Sequence, residues 1–158
     1  VTLESYAIDI DGLGSALVIP YNHSAFEDSD AFDEFLIIFF YTPEGLYEEH
    51  LGLSYVLDNA GIIVYHVDAR LSANPTFFSD YFMYNNDGTS DFYAELLEVD
   101  ENNSLDADYI SMSDILTTGT FDISSYSWHQ GGSINISIEI TSVITDTSDE
   151  VTFILTVE

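Results

Sequence analysis

The chain has no cysteine, no lysine and a single basic side chain, Arg70. Without cysteine there are no disulfides, no thiolate metal ligands and no thiol nucleophile. Without a supply of cations there is no route to nucleic acid by phosphate neutralisation, and no attraction to an anionic membrane surface. The longest apolar run, Phe35 to Tyr41, is far too short to span a bilayer as a helix, so no membrane insertion is expected. Proline and glycine are sparse, at 3 and 9 residues, which excludes collagen-like and linker-like compositions. Val1 opens no signal-peptide pattern. The chain starts directly in a strand-like segment, as an excised domain or a mature fragment would.

What is present is acid and apolar surface together. The 158 residues include 29 carboxylates, giving a formal net charge of −28, yet 46% are hydrophobic, with 11 Tyr and 11 Phe. That apolar content separates the chain from disordered acidic tails, and its length suits one domain, 1–158, able to bury a core without staples. Nearly all the carboxylates lack a cationic side chain to pair with. They must be solvated, hydrogen-bonded or held by a cation such as Ca²⁺, which would relieve part of the self-repulsion.

Strand patterns run along the whole sequence. Thr2–Ile8 alternates, and Ser15–Ile19 is a short strand bounded by Gly14 and Pro20. Glu34–Thr42 and Gly61–Val67 are continuously apolar, as strands buried on both faces should be. Asp91–Val99 is a further strand, and Ser111–Leu116 reads as one short helix with Ser111 as its cap. Ile134, Ile136, Ile138 and Ile140 alternate with polar residues, and Val151–Val157 completes a terminal hairpin. No long helical periodicity appears. The expectation is an all-β, antiparallel β-sandwich or jelly-roll-like fold of about seven to eight strands, with at most short helical turns.

Three groups of residues invite a functional reading. His66 and Asp68 end an apolar strand on one face of it, and Arg70 follows. One His and one Asp fall short of the three ligands and open position of a catalytic zinc, so these residues are expected to be structural. The acidic loop Asp100–Asp108 places Asp100, Asn102 and Ser104 at alternating positions, followed by Asp106 and Asp108. Hard oxygen donors so spaced suit Ca²⁺. Leu105 stands where an EF-hand needs Gly and Ser111 where it needs Glu, so the expectation is a looser calcium loop or a solvated turn, which Asp114 completes if the chain folds back. Tyr126, Trp128 and His129 form an aromatic group in a loop, either a sugar-binding platform or a plug at the end of the sandwich. No Gly-x-Ser-x-Gly elbow and no phosphate-binding glycine loop occurs, so no catalytic residue is assigned.

The order of several stretches carries a resemblance. "ALVIP" (Ala16–Pro20), "DEFLIIFFYTPEGL" (Asp33–Leu46), "GIIVYHVDARL" (Gly61–Leu71), "LLEVDENNSLDAD" (Leu96–Asp108), "GGSINISIEITSV" (Gly131–Val143) and "VTFILTV" (Val151–Val157) follow one another. This succession resembles the β-rich region downstream of the zinc site in M6-family metallopeptidases, the immune inhibitor A group. There a strand of the type EYFLIEYRQ precedes G-L-L-I-W-H-V-D, and the His-Val-Asp element is the most specific match. The family's zinc motif, H-E-x-x-H, is absent, because His23, His50, His66 and His129 have no such spacing, and no zinc is expected in this chain. The resemblance therefore implies a non-catalytic accessory domain of a secreted or cell-surface bacterial peptidase. Its partners would be the upstream peptidase domain of the same polypeptide and, at its surface, protein substrate. The alternative is a carbohydrate- or cell-surface-binding β-sandwich module using the loop aromatics.

Overall fold

A computed structural model describes residues 1–4, 15–21, 34–44, 57–70, 94–100 and 113–158. Eight strands occur among them: β1 (Thr2–Glu4), β2 (Ala16–Pro20), β3 (Glu34–Tyr41), β4 (Gly61–Asp68), β5 (Ala94–Leu96), β6 (Thr120–Asp122), β7 (Ile136–Ile140) and β8 (Glu150–Val157). They form two four-stranded antiparallel sheets, ordered β1-β8-β7-β6 and β2-β3-β4-β5. The protein is an all-β sandwich, and each sheet is built largely from neighbours in sequence. The only helical element among the described residues is a 3-10 turn, Ile123–Ser125, capped by the Asp122 carboxylate accepting from Ser124 N–H at 3.0 Å.

The alternation of side chains along a strand explains how the sheets pack. In β3, Leu36, Ile38 and Phe40 point inward and are wholly buried. In β4, Ile62 and Val64 do the same. They meet Phe121, Ile136, Ile138, Val151 and Phe153 of the opposite sheet in one continuous core. Each such side chain contributes about 1.5–3 kcal/mol through burial, which is what opposes the chain's charge repulsion. The outer face of the β3–β4 pair carries apolar packing as well: Tyr41 and Ile63 are buried against Leu57, Leu96 and Ile115, with Phe39 and Tyr65 half-buried beside them. That double coverage is why these two strands read as unbroken apolar runs. Gly61 allows the cover to sit close: a Cβ there would stand 2.6 Å from Ile115 Cδ1.

Two features depart from the expectation. Residues 113–116 form a turn that ends in an isolated bridge, Leu116 pairing with Ile62 on the β4 edge just beyond β5, where a helix ending at Leu116 was expected. The free hydrogen-bonding edge of β4 competes successfully with a weak capping box. Strand β6 and the 3-10 turn carry no strong pattern in sequence, and pairing with β7 supplies what propensity does not.

Candidate functional site: a buried carboxylate–histidine cluster

The inward face of β3 begins with Glu34, in phase with Leu36, Ile38 and Phe40. The inward face of β4 ends with His66 and Asp68, in phase with Ile62 and Val64. Antiparallel register sets Glu34 directly opposite Asp68, and Leu36 opposite His66. Apolar interior positions are thus continued by polar ones at one end of the sandwich. Glu34 and Asp68 are 0% exposed and His66 is 2% exposed. Two carboxylates facing each other across a ladder repel, so this end of the sheet requires donors and positive charge.

Those donors arrive from two directions. Arg70 lies two residues beyond Asp68 and turns back onto it, donating from Nε to Oδ1 at 2.9 Å and from Nη2 to Oδ2 at 2.7 Å, with its backbone N–H adding a bond at 3.2 Å. The rest come from a tight turn between the 3-10 turn and β7. Gly131 N–H donates to Trp128 O at 2.9 Å and Trp128 N–H to Gly132 O at 3.0 Å, while Gly131 and Gly132 take φ of 102° and 92°. Side chains other than glycine are strained at such φ, which accounts for the Gly-Gly pair. The turn presents successive N–H groups to Glu34: His129 N–H donates to Oε1 and Gln130 N–H to Oε2 at 3.1 Å.

The two imidazoles complete the cluster. His66 Nε2 lies 2.8 Å from Glu34 Oε1, and His129 Nδ1 lies 3.0 Å from Asp68 Oδ2. The rings meet edge to face with centroids 4.6 Å apart. Trp128 edges against His66 at 5.6 Å and against Tyr21 at 5.5 Å, closing the cluster from the side. Burial on its own would raise the Glu34 carboxyl. Hydrogen bonds from His66 and from the His129 and Gln130 backbone, with attraction to His66, outweigh it and hold the pKa below the ordinary value. Asp68 behaves alike: burial raises it, and the Arg70 bonds, the His129 bond and the guanidinium charge bring it below normal. Both carboxylates are therefore ionised at neutral pH. With Glu34 and Asp68 as acceptors, the proton of each contact sits on His66 Nε2 and His129 Nδ1.

His66, Asp68 and Arg70 thus lie in one cluster with His129, which was grouped above with Tyr126 and Trp128. Tyr126 is placed elsewhere: its hydroxyl donates to Glu98 O at 2.9 Å and accepts from Glu98 N–H at 3.0 Å, pinning the loop to the segment after β5. Trp128 is half-buried against the core. The sequence does not single out Glu34 as a site residue, because a run apolar on both faces gives its first residue no phase that marks it as inward. Gln130 contributes through its backbone, which no side-chain pattern reveals.

Of the acidic loop, Asp100 is described, while Asn102, Ser104, Asp106 and Asp108 lie outside the described residues. Val99 N–H donates to Asp114 O at 3.1 Å, and this pairing brings Glu98, Asp100 and Asp114 together, one carboxylate oxygen from each within 4.8 Å of the others. Glu98 and Asp114 are buried and Asp100 is exposed. No described helix is long and apolar enough to cross a membrane. Comparison of the chain with known protein families, with curated proteins and with solved structures finds no match.

Proposed function

We propose that the chain is a non-catalytic β-sandwich domain that serves as an accessory module of a secreted M6-like metallopeptidase, supporting the zinc domain or positioning substrate. The observation that carries this reading is where the most family-like residues go. The Asp33–Leu46 and Gly61–Leu71 stretches contain the paired strands β3 and β4, and at their polar ends Glu34, His66 and Asp68 turn inward, where Glu34 and Asp68 bond the turn that precedes β7. Side chains engaged in holding a fold together are suited to shaping a rigid support. A general acid or base needs reach to a substrate proton, and wholly buried carboxylates do not offer it.

Two measurements on the parent polypeptide test this. Peptide mapping of the native protein upstream of Val1 is expected to find an H-E-x-x-H segment. Deleting residues 1–158 from that parent is expected to lower its melting temperature and its proteolytic rate. A parent without the motif, or one whose stability and proteolysis are unchanged by the deletion, refutes the proposal.

A further inference from the structure

Glu34, His66 and His129 come from three segments of the chain and place one ligand atom each within 4.8 Å of one another. We propose that these three side chains form a binding site for a divalent first-row transition ion of the zinc type, clamping the β3–β4 pair to the turn that precedes β7. The strand-end pair His66 and Asp68 is too few for such a site. Folding supplies the missing donors by adding Glu34 from the neighbouring strand and His129 from a turn 63 residues further on, counted from His66 to His129.

Four features fit this ion. The first is spacing. Bonds of about 2.0–2.1 Å in tetrahedral geometry set donors about 3.3 Å apart. His66 Nε2 and Glu34 Oε1 already stand at 2.8 Å and all three ligand atoms lie within 4.8 Å of one another, so an ion enters by replacing one hydrogen bond while this pair spreads and the third donor adjusts to it. The second is donor type. Two imidazoles and one carboxylate suit zinc and its neighbours, whereas Ca²⁺ and Mg²⁺ select all-oxygen sites.

The third is the outer layer. His129 Nδ1 is held by the Asp68 carboxylate at 3.0 Å, and Asp68 by two guanidinium bonds from Arg70. A carboxylate on one ring nitrogen orients the imidazole, fixes its tautomer and makes the other nitrogen a better ligand. Glu34 is braced in the same way by two backbone N–H groups. The fourth is access and field. The His129 side chain is 11% exposed, which marks the side from which an ion arrives, and a chain of net charge −28 concentrates cations at its surface. The inference goes beyond the accessory role proposed above and does not depend on it.

The test uses the whole chain, stripped with chelator and kept in excess Ca²⁺ so that oxygen-only sites are filled. Zn²⁺ titration by calorimetry is expected to show one equivalent bound, with a melting temperature that rises with Zn²⁺ concentration. Co²⁺ in its place is expected to give the intense visible bands of a four-coordinate ion, and Zn²⁺ to shift the ring NMR signals of His66 and His129. His129→Gln keeps the backbone bond to Glu34 and removes the imidazole ligand. It is expected to weaken Zn²⁺ binding by more than the ~10–100-fold typical of losing an outer partner, the loss expected for Asp68→Asn. Zn²⁺ bound with equal affinity by His129→Gln, or no Zn²⁺ bound, overturns the proposal. If His129→Gln fails to fold, the unaltered protein decides: weak six-coordinate Co²⁺ bands or unmoved histidine signals overturn it equally.

Discussion

Replacing Asp68 by alanine is the sharpest probe of what holds this end of the sandwich. The carboxylate is 0% exposed and accepts bonds from Arg70 Nε at 2.9 Å, Arg70 Nη2 at 2.7 Å, Arg70 N at 3.2 Å and His129 Nδ1 at 3.0 Å. Removing one member of a buried ion pair costs about 3–5 kcal/mol, because the other is left buried and uncompensated. Two features reduce that figure here. The Arg70 side chain is 22% exposed and can recover water, and Asp68 stands opposite Glu34, so its loss also relieves a repulsion. The expected loss is about 2–3 kcal/mol at neutral pH in metal-free buffer. For a domain of this size it lowers the melting temperature by about 4–12 °C. Urea unfolding followed by circular dichroism measures it, with Val143→Ser as the control. Val143 is 85% exposed, and such surface changes stay within about 0.5 kcal/mol. Arg70→Ala is expected to cost less in the Asp68→Ala background than alone, since its partner is already gone. An Asp68→Ala loss no larger than that of the control refutes the assignment of this network as a clamp.

Three further outcomes follow from the same geometry. Glu34 has a lowered pKa, so its ionised form contributes stability above the ordinary carboxylate range and that contribution is lost as pH falls through the lowered value. The stability gap between the unaltered protein and Glu34→Gln in metal-free buffer should therefore shrink below about pH 4, and a gap constant from pH 7 to pH 3 contradicts this. Trp128→Ala removes a half-buried ring packed on His66 and Tyr21 and should cost about 2–3 kcal/mol, somewhat less than a fully buried Trp; retention on glycan lost with stability unchanged would instead favour the binding-module reading. Glu98, Asp100 and Asp114 crowd three carboxylates, two of them buried, so chelator should lower the melting temperature and Ca²⁺ restore it, with Mg²⁺ less effective; an Asp114→Asn variant that responds to Ca²⁺ as the parent does would place the ion elsewhere.

The composition and the period of the apolar residues were enough to determine an all-β chain. Glu34–Tyr41 and Gly61–Asp68 announce central strands because both their faces are covered, and Ile136–Ile140 announces a half-buried one because only one face is. These are local properties, set by which side of a pleated backbone each residue occupies. The absence of cysteine likewise rules out disulfides and thiolate ligands from the sequence alone. Strand β6 and the turn at residues 113–116 were not legible, since their conformation is dictated by the strand edges they pair with. The cluster was legible only in part. The sequence places His66, Asp68 and Arg70 together because they lie within five residues, whereas Glu34 opens a run that is apolar on both faces and so has no phase to mark it as inward. That Glu34 faces Asp68 is decided by register between two strands, and that His129 reaches both is decided by packing of one sheet on the other. Contacts between residues 95 apart, as Glu34 and His129 are, depend on the whole chain closing around its core. No pattern along the sequence encodes them singly, and so the Glu34–His66–His129 triad is a property of the tertiary structure.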